Sequence, residues 1–310
     1  MIVVLSGGVG GARFLQGVVQ VVPQQQITVI SNTGDDREFY GLHVSPDIDI
    51  VLYSLAGIVD MANGWGIRDD TYNTMQQLTR YGNEDWFLLG DRDLATHIHR
   101  TNLLRQGKTL SEVTDNLRVQ LGLDLRVLPM SDQPVATHIQ TPAGLLHFEE
   151  YLVKHRSADD VQDVVFVGAS EARPAPGVLD AIKQADAILI APSNPIVSVG
   201  TILAVPGIHD ALHEASGMVI AISPIVGGAP IKGPADKIMK GLGLEVSAVG
   251  VTRCYRDFLD VMIIDEQDAQ LTHEIEDLGI PVVVTDTIMR DDETKAALAR
   301  TALQAAGLTI

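Results

Sequence analysis

Short apolar runs of four to six residues, rich in valine and isoleucine, alternate with helical patterns along much of this chain. The runs Ile2–Leu5, Ile27–Ile30, Val164–Val167, Ala187–Ala191, Met218–Ile222, Val246–Val251 and Pro281–Val284 read as buried strands. β-Branched side chains suit a pleated, covered surface, and Gly, Ser, Asn, Pro or Asp stands near their ends. Helical patterns follow most of them, as at Pro176–Gln184 and Thr294–Ala306. This alternation predicts an α/β fold with a mainly parallel sheet covered on both faces. In a doubly wound sheet of this kind, ligands bind at the carboxyl ends of the strands.

The stretch from Ser45 to Asp160 breaks the rhythm. It holds helical patterns at Pro46–Ala56, Thr71–Arg80, Leu94–Gln106 and Thr109–Leu121, then a hairpin pattern around Val135–His147. The expected organisation is a sheet-forming core made of residues 1–44 and 161–310, interrupted by a mainly helical insertion, 45–160, that caps the crevice. With 310 residues and 46% hydrophobic content, the chain has ample material for such a core. The start MIVVLSGG lacks the basic region and long apolar run of a signal peptide and reads as a first strand. Cys254 is the sole cysteine, which excludes an intrachain disulfide and suits a reducing, cytoplasmic setting.

Lysine and arginine number 22 against 40 aspartates and glutamates, a net charge of −18. That balance argues against nucleic acid or an anionic membrane as partner. An anionic ligand can still be held locally by backbone amides, a few cations or a metal. Glycines 7, 8, 10 and 11 lie where a strand gives way to a helix, and amide groups at such a junction make an anion site with the helix dipole. The dinucleotide fingerprint fails, because Arg13 stands where the third glycine belongs and no acid ends the second strand. A P-loop fails too, for want of Gly-Lys-Ser/Thr. Two further loops follow strands. One carries Ser193, Asn194 and Ser198; the other carries Gly227, Gly228, Lys232 and Gly233. Loops after parallel strands converge on one edge of the sheet, and here they point to a phosphorylated ligand.

Two acidic stretches lie in the insertion. In SPDIDI, Ser45 is placed to cap a helix that starts at Pro46, with Asp47 and Asp49 in its first turn. In LGDRDLATHIHRT, Asp91, Arg92 and Asp93 open a helix; Arg92, Thr96, His99 and Arg100 fall near one face. His97 and His99, two apart on a helix, do not converge on one zinc ion. A bound pyrophosphate in so acidic a chain calls for a divalent counter-charge, for which Asp47, Asp49, Asp91 and Asp93 form the pool.

The ordered blocks GGVGGARFLQG, SNTGDD, SPDIDIVLYSLAG, WFLLGDRDLATHI, PMSD, APSNPIVSVGTILAVPGI and SPIVGGAPIKGPADKIM together resemble the 2-phospho-L-lactate transferases, the CofD/FbiA family of coenzyme F-420 biosynthesis. The resemblance implies a Rossmann-like sheet with a helical insertion, a homodimer and a need for Mg²⁺. It also implies a reaction. The ribityl hydroxyl of the deazaflavin FO attacks the phosphorus bearing the lactyl or enolpyruvyl group of a guanosine diphosphate ester, and GMP leaves. Residue by residue, it places Asp49, Arg92, Asp91 and His97 at FO, with Asp49 and Asp47 at the reacting hydroxyl or the metal. Gly7, Gly8, Gly10, Gly11, Ser193, Asn194 and Lys232 then face the nucleotide. Glu149 stands where many members carry glutamine, and Thr201 in GTIL looks like the actinobacterial, enolpyruvyl-using branch. A wider group of CofD-like proteins binds nucleotide sugars and regulates without catalysis; SPDID together with GDRDLATH favours the transferases.

Overall fold

The computed structural model describes residues 1–60 and 62–309. Among the described residues, seven strands form one sheet: β1 (Ile2–Ser6), β2 (Ile27–Ser31), β3 (Arg126–Pro129), β4 (Ala187–Ile190), β5 (Met218–Ile222), β6 (Val261–Asp265) and β7 (Val282–Thr285). They lie in the order β7-β6-β5-β4-β1-β2-β3, and every neighbouring pair is parallel. The chain winds outward from β1 in one direction and from β4 in the other, so the topological switch point lies between β1 and β4.

Successive strand residues point to opposite faces, and the sheet separates two cores. Val3, Leu5, Ile30, Ile188 and Ile190 pack beneath the later helices, among them Val178–Lys183 and Ala248–Tyr255. Ile2, Val4, Val29 and Leu189 pack beneath α1 (Gly8–Val21), α2 (Pro46–Leu55) and the C-terminal helix Asp292–Ala305. The insertion adds α3 (Asn73–Arg80), α4 (Asp91–Arg105) and α5 (Leu110–Gln120). Its own small core joins Phe39, Val44, Met75, Leu89 and Leu94. No helix among the described residues is long and apolar enough to cross a membrane.

The α/β class and the parallel sheet are as expected, but four sequence readings need correction. Val246–Val251 is not a strand: Ser247 caps a helix by accepting from the Gly250 amide, and Ala248–Tyr255 is helical. A short apolar run does not distinguish the two states by periodicity. Val164–Val167 is extended but lies outside the central sheet, where Asp163–Val167 pairs antiparallel with Ala136–Thr141. That strand alternates exposed and half-buried residues, the pattern of a one-sided sheet. The run at β6, bounded by Asp260 and Asp265, is fully buried and belongs with the named strands. Finally, Arg126–Pro129, inside the proposed insertion, forms the edge strand β3 beside β2. The chain therefore rejoins the sheet well before residue 160.

Candidate active site at the β1–β4 switch point

β1 ends between the tips of β2 and β4, where Asn32 donates its amide hydrogen to the Ser6 carbonyl and Ala191 donates to the Leu5 carbonyl. The glycine turn that follows is fitted against the β4 loop. A Cβ on Gly10 would strike the Pro192 carbonyl oxygen, so α1 reaches this depth only without a side chain there. Gly7 and Gly11 face Ser198 and Ser193 in the same seam. Ser193 Oγ donates to the Gly7 carbonyl at 2.7 Å and lies 3.4 Å from the Gly7 amide. Gly8 differs: its φ is +67°, and no atom lies within 4 Å of where its side chain would begin. The first glycine turn and the Ser193 loop thus form one rim, as the sequence predicts. Much of the glycine content serves helix-to-loop packing, and Gly8 presents open backbone. Asn194 Oδ1 accepts from the amides of Ile196 and Val197 and so shapes its own turn.

Asp47 closes this rim from α2. Its Oδ1 accepts from the Gly8 amide at 2.6 Å and its Oδ2 from Asn32 Nδ2 at 2.8 Å. Burial pushes its carboxyl up to about 6, against the pull of Asn32 and Gly8. Ser45 is the residue before the helix, but its hydroxyl donates to Asp36 Oδ2 at 2.7 Å instead of capping. Asp36 also faces His43 Nε2 at 3.0 Å.

Asp49 does not share Asp47's surroundings. Two residues at about 100° each set them on opposite sides of α2. Asp49 turns toward α4, where Arg100 grips both carboxylate oxygens, Nη1 to Oδ2 at 3.0 Å and Nη2 to Oδ1. His97 lies between Asp49 Oδ2, 3.7 Å from Nδ1, and Asp93 Oδ1, 3.2 Å from Nε2. Tyr53 donates to the same Asp93 oxygen at 2.8 Å. Arg100 is fully buried, and such a charge persists only when paired.

The other expected residues are placed as follows. Asp91 accepts from the amides of Asn73 and Thr74 and from the Thr71 hydroxyl, which caps α3 and holds its carboxyl well below the usual range, the Thr71 bond being the largest cause. Arg92 is exposed; its amide donates to Asp70 and its guanidinium to the Arg68 carbonyl at 3.2 Å. Lys232 reaches the Asn63 carbonyl at 3.5 Å, on the far side of α1 from the Ser193 seam.

Three carboxylates crowd the rim. Asp35, Asp47 and Glu149 are each about 95% buried. Burial, then the charge of Asp47, pushes Glu149 up to about 8, while Arg37 pulls against it. Burial, then Asp47 and Glu149, raises Asp35 well above its ordinary value, and its Oδ1 has no partner. Sequence reasoning missed Asp35 and Arg100 as site residues. SNTGDD stood at the tip of β2, which is the signal for Asp35.

The model of the family "2-phospho-L-lactate transferase CofD" matches residues 2–302 of this chain. The chain belongs to the CofD family. Among its CofD relatives, a phosphoenolpyruvate transferase of Streptomyces griseus is 48% identical, with 98% of each chain covered. A 2-phospho-L-lactate transferase of Methanosarcina mazei is 41% identical over 98% of this chain and 99% of its own. A crystal structure of a UPF0052 member from Bacillus halodurans shares the fold at a TM-score of 0.66 and 17% identity, covering 97% of this chain and 99% of its own. The CofD match thus bears out the resemblance carried by the sequence blocks.

Proposed function

We propose that this chain transfers a phosphoenolpyruvyl group from a guanosine diphosphate ester to the ribityl hydroxyl of the deazaflavin FO, releasing GMP, in coenzyme F-420 biosynthesis. The observation that carries the reading is the meeting of the Gly8 amide, Asp47, Asn32 and Ser193 at the switch point of a CofD-family sheet. The enolpyruvyl donor is favoured over the lactyl one by the relatives: three phosphoenolpyruvate transferases are 45–48% identical, and two 2-phospho-L-lactate transferases are 41–42% identical.

The chemistry asks for positioning and for charge stabilisation, more than for a strong base. The first-turn amides of α1 that follow Gly8 have no side-chain cap and suit the diphosphate. A hydroxyl delivered from the insertion meets it from the side of Asp47, and GMP departs along α1. Asp49, tied by Arg100, is a fixed acceptor suited to orient the acceptor substrate.

The donor set also suits a magnesium ion. Mg²⁺ rests on one or two carboxylates, with phosphate oxygens and water completing its shell. Among the described residues no group of three or more His, Cys, Asp or Glu is arranged as a ready-made cage. Asp47 and Asp35, the latter with its unpartnered oxygen, are the groups that would hold the ion, with Glu149 beside them. Asp49 is the other expected metal holder; Arg100 holds it in a charged pair, whereas Asp47 meets only the neutral donors Gly8 and Asn32. When bound, the ion would supply counter-charge to the diphosphate.

The test is direct. Purified protein is mixed with FO, each guanylyl donor in turn and Mg²⁺, and GMP is followed by mass spectrometry. The reading requires GMP and the FO phosphodiester in equal amounts, fastest with the enolpyruvyl donor and abolished by EDTA. Absence of GMP with both donors overturns it.

A further inference from the structure

Asn32, at the tip of β2, is fully buried, and its side-chain amide decides how Asp47 is met. Nδ2 donates to Asp47 Oδ2 at 2.8 Å and reaches the Val197 carbonyl at 3.4 Å, while Oδ1 accepts from the Gly34 amide at 2.8 Å. Turned over, the same amide would set its oxygen against a carboxylate. Whatever holds it this way round therefore belongs to the working of the rim.

Two threonines from outside the rim hold both of its flanks. Thr201, on the short helix Val199–Leu203, donates its hydroxyl hydrogen to the Val197 carbonyl at 2.8 Å. A hydroxyl has one hydrogen, so towards Thr137 Oγ1, 3.1 Å away, Thr201 accepts and Thr137 donates. Thr137, on the strand Ala136–Thr141, also donates its backbone amide to the Gly34 carbonyl at 2.7 Å. A Cβ on Gly34 would strike Thr137 Oγ1 and Thr201 Cγ2, so the Gly34 turn lies flat against the pair. The bonds form one chain, from Thr137 to Thr201 to the Val197 carbonyl that Asn32 shares, and through Asn32 to Asp47. Gly34 leads directly into Asp35, the carboxylate with an unpartnered oxygen. Both threonines are fully buried. Two valines of the same shape would fill that space with no polar group to satisfy, so packing alone does not call for the hydroxyls.

We propose that Thr137 and Thr201 are positioning residues for the rim: through Gly34 and the Val197 carbonyl they keep the Asn32 amide donating to Asp47, and so hold Asp47 and Asp35 in place for a divalent ion. The inference rests on the reading above that these two carboxylates hold the ion. Both threonines act through Asn32 and Gly34.

Mn²⁺ titration of the full chain in the presence of GDP, with free Mn²⁺ followed by electron paramagnetic resonance, tests this beside urea unfolding. Thr137→Val combined with Thr201→Val keeps the shape and leaves neither hydroxyl orphaned, so the unfolding midpoint should stay near that of the wild type. Mn²⁺ binding should nevertheless weaken roughly tenfold or more, as for loss of other outer supports of ion-holding groups. Thr201→Ser keeps the hydroxyl and should bind Mn²⁺ more tightly than the double variant. Asp47→Asn checks the underlying assignment and should weaken Mn²⁺ binding by itself. Wild-type protein that takes up no Mn²⁺, or Asp47→Asn that binds it as the wild type does, overturns the ion-holding reading and the positioning role with it. Weakened binding in Asp47→Asn with unchanged binding in the double valine variant overturns the positioning role alone. So does a double variant that loses stability and Mn²⁺ affinity together with neither regained in Thr201→Ser, since packing then explains both losses.

Discussion

Glu149 and Asp47 each hold a proton more tightly in the folded protein than their ordinary values allow, because burial opposes ionisation of both, aided by the charge of Asp47 at Glu149 and of Asp36 at Asp47. The sign follows from linkage. The stability they contribute is fully present below their ordinary values of 4.5 and 3.8, and is lost as pH rises through about 8 for Glu149 and about 6 for Asp47. The melting temperature of metal-free protein should therefore fall between about pH 5 and 8, and Glu149→Gln should flatten that fall. Superimposable melting profiles for the two proteins would remove the carboxylate pair from the account. Arg100 behaves in the opposite sense. Its guanidinium holds Asp49 in a fully buried pair, so Arg100→Met leaves an unpaired buried carboxylate and should cost about 3–5 kcal/mol in urea unfolding. Removing both charges, as Asp49→Leu with Arg100→Met, should cost less than Arg100→Met alone. The SPDIDI motif brought attention to both aspartates, but their division of labour was illegible. It depends on a buried arginine from another helix, and residue spacing along one helix does not announce that partner.

At the level of elements, the sequence revealed most where periodicity was long. α2, α4, α5 and the C-terminal helix begin and end within three residues of the expected bounds. It revealed least in short apolar runs, where Val246–Val251 satisfies strand and helix equally and the Ser247 cap decides. The edge strand β3 escaped because Arg126–Pro129 is brief and follows a helix inside a helix-rich stretch. The fit of α1 against the β4 loop gives an element-scale prediction. Gly10→Ala forces a Cβ into the Pro192 carbonyl, so the helix or the Ser193 loop must shift. The expected loss is about 1–3 kcal/mol of stability, with GDP affinity falling further than that of a surface variant of equal stability. Asp91→Ala removes the cap of α3. Chemical denaturation should show a small loss, and one as large as that of Arg100→Met would mean that Asp91 has duties beyond the cap.

For the whole molecule, the parallel sheet order makes the site. β1 and β4 are neighbours in space though far apart in sequence, and helices after each leave a crevice at their tips. That convergence was legible from glycine- and serine-rich loops after apolar runs. The crowding of Asp35, Asp47 and Glu149 was not, since it joins the tip of β2, the start of α2 and the chain beyond the hairpin at His147. Only the assembled fold puts these three acids beside an amide-rich turn. A crystal structure of the protein with GDP and Mg²⁺ is the most direct measurement of the claim that this rim grips the diphosphate. Phosphate density is expected at the first turn of α1, between the tips of β1 and β4, with Asp47 in contact through the ion; phosphates bound at any other edge of the sheet would contradict this.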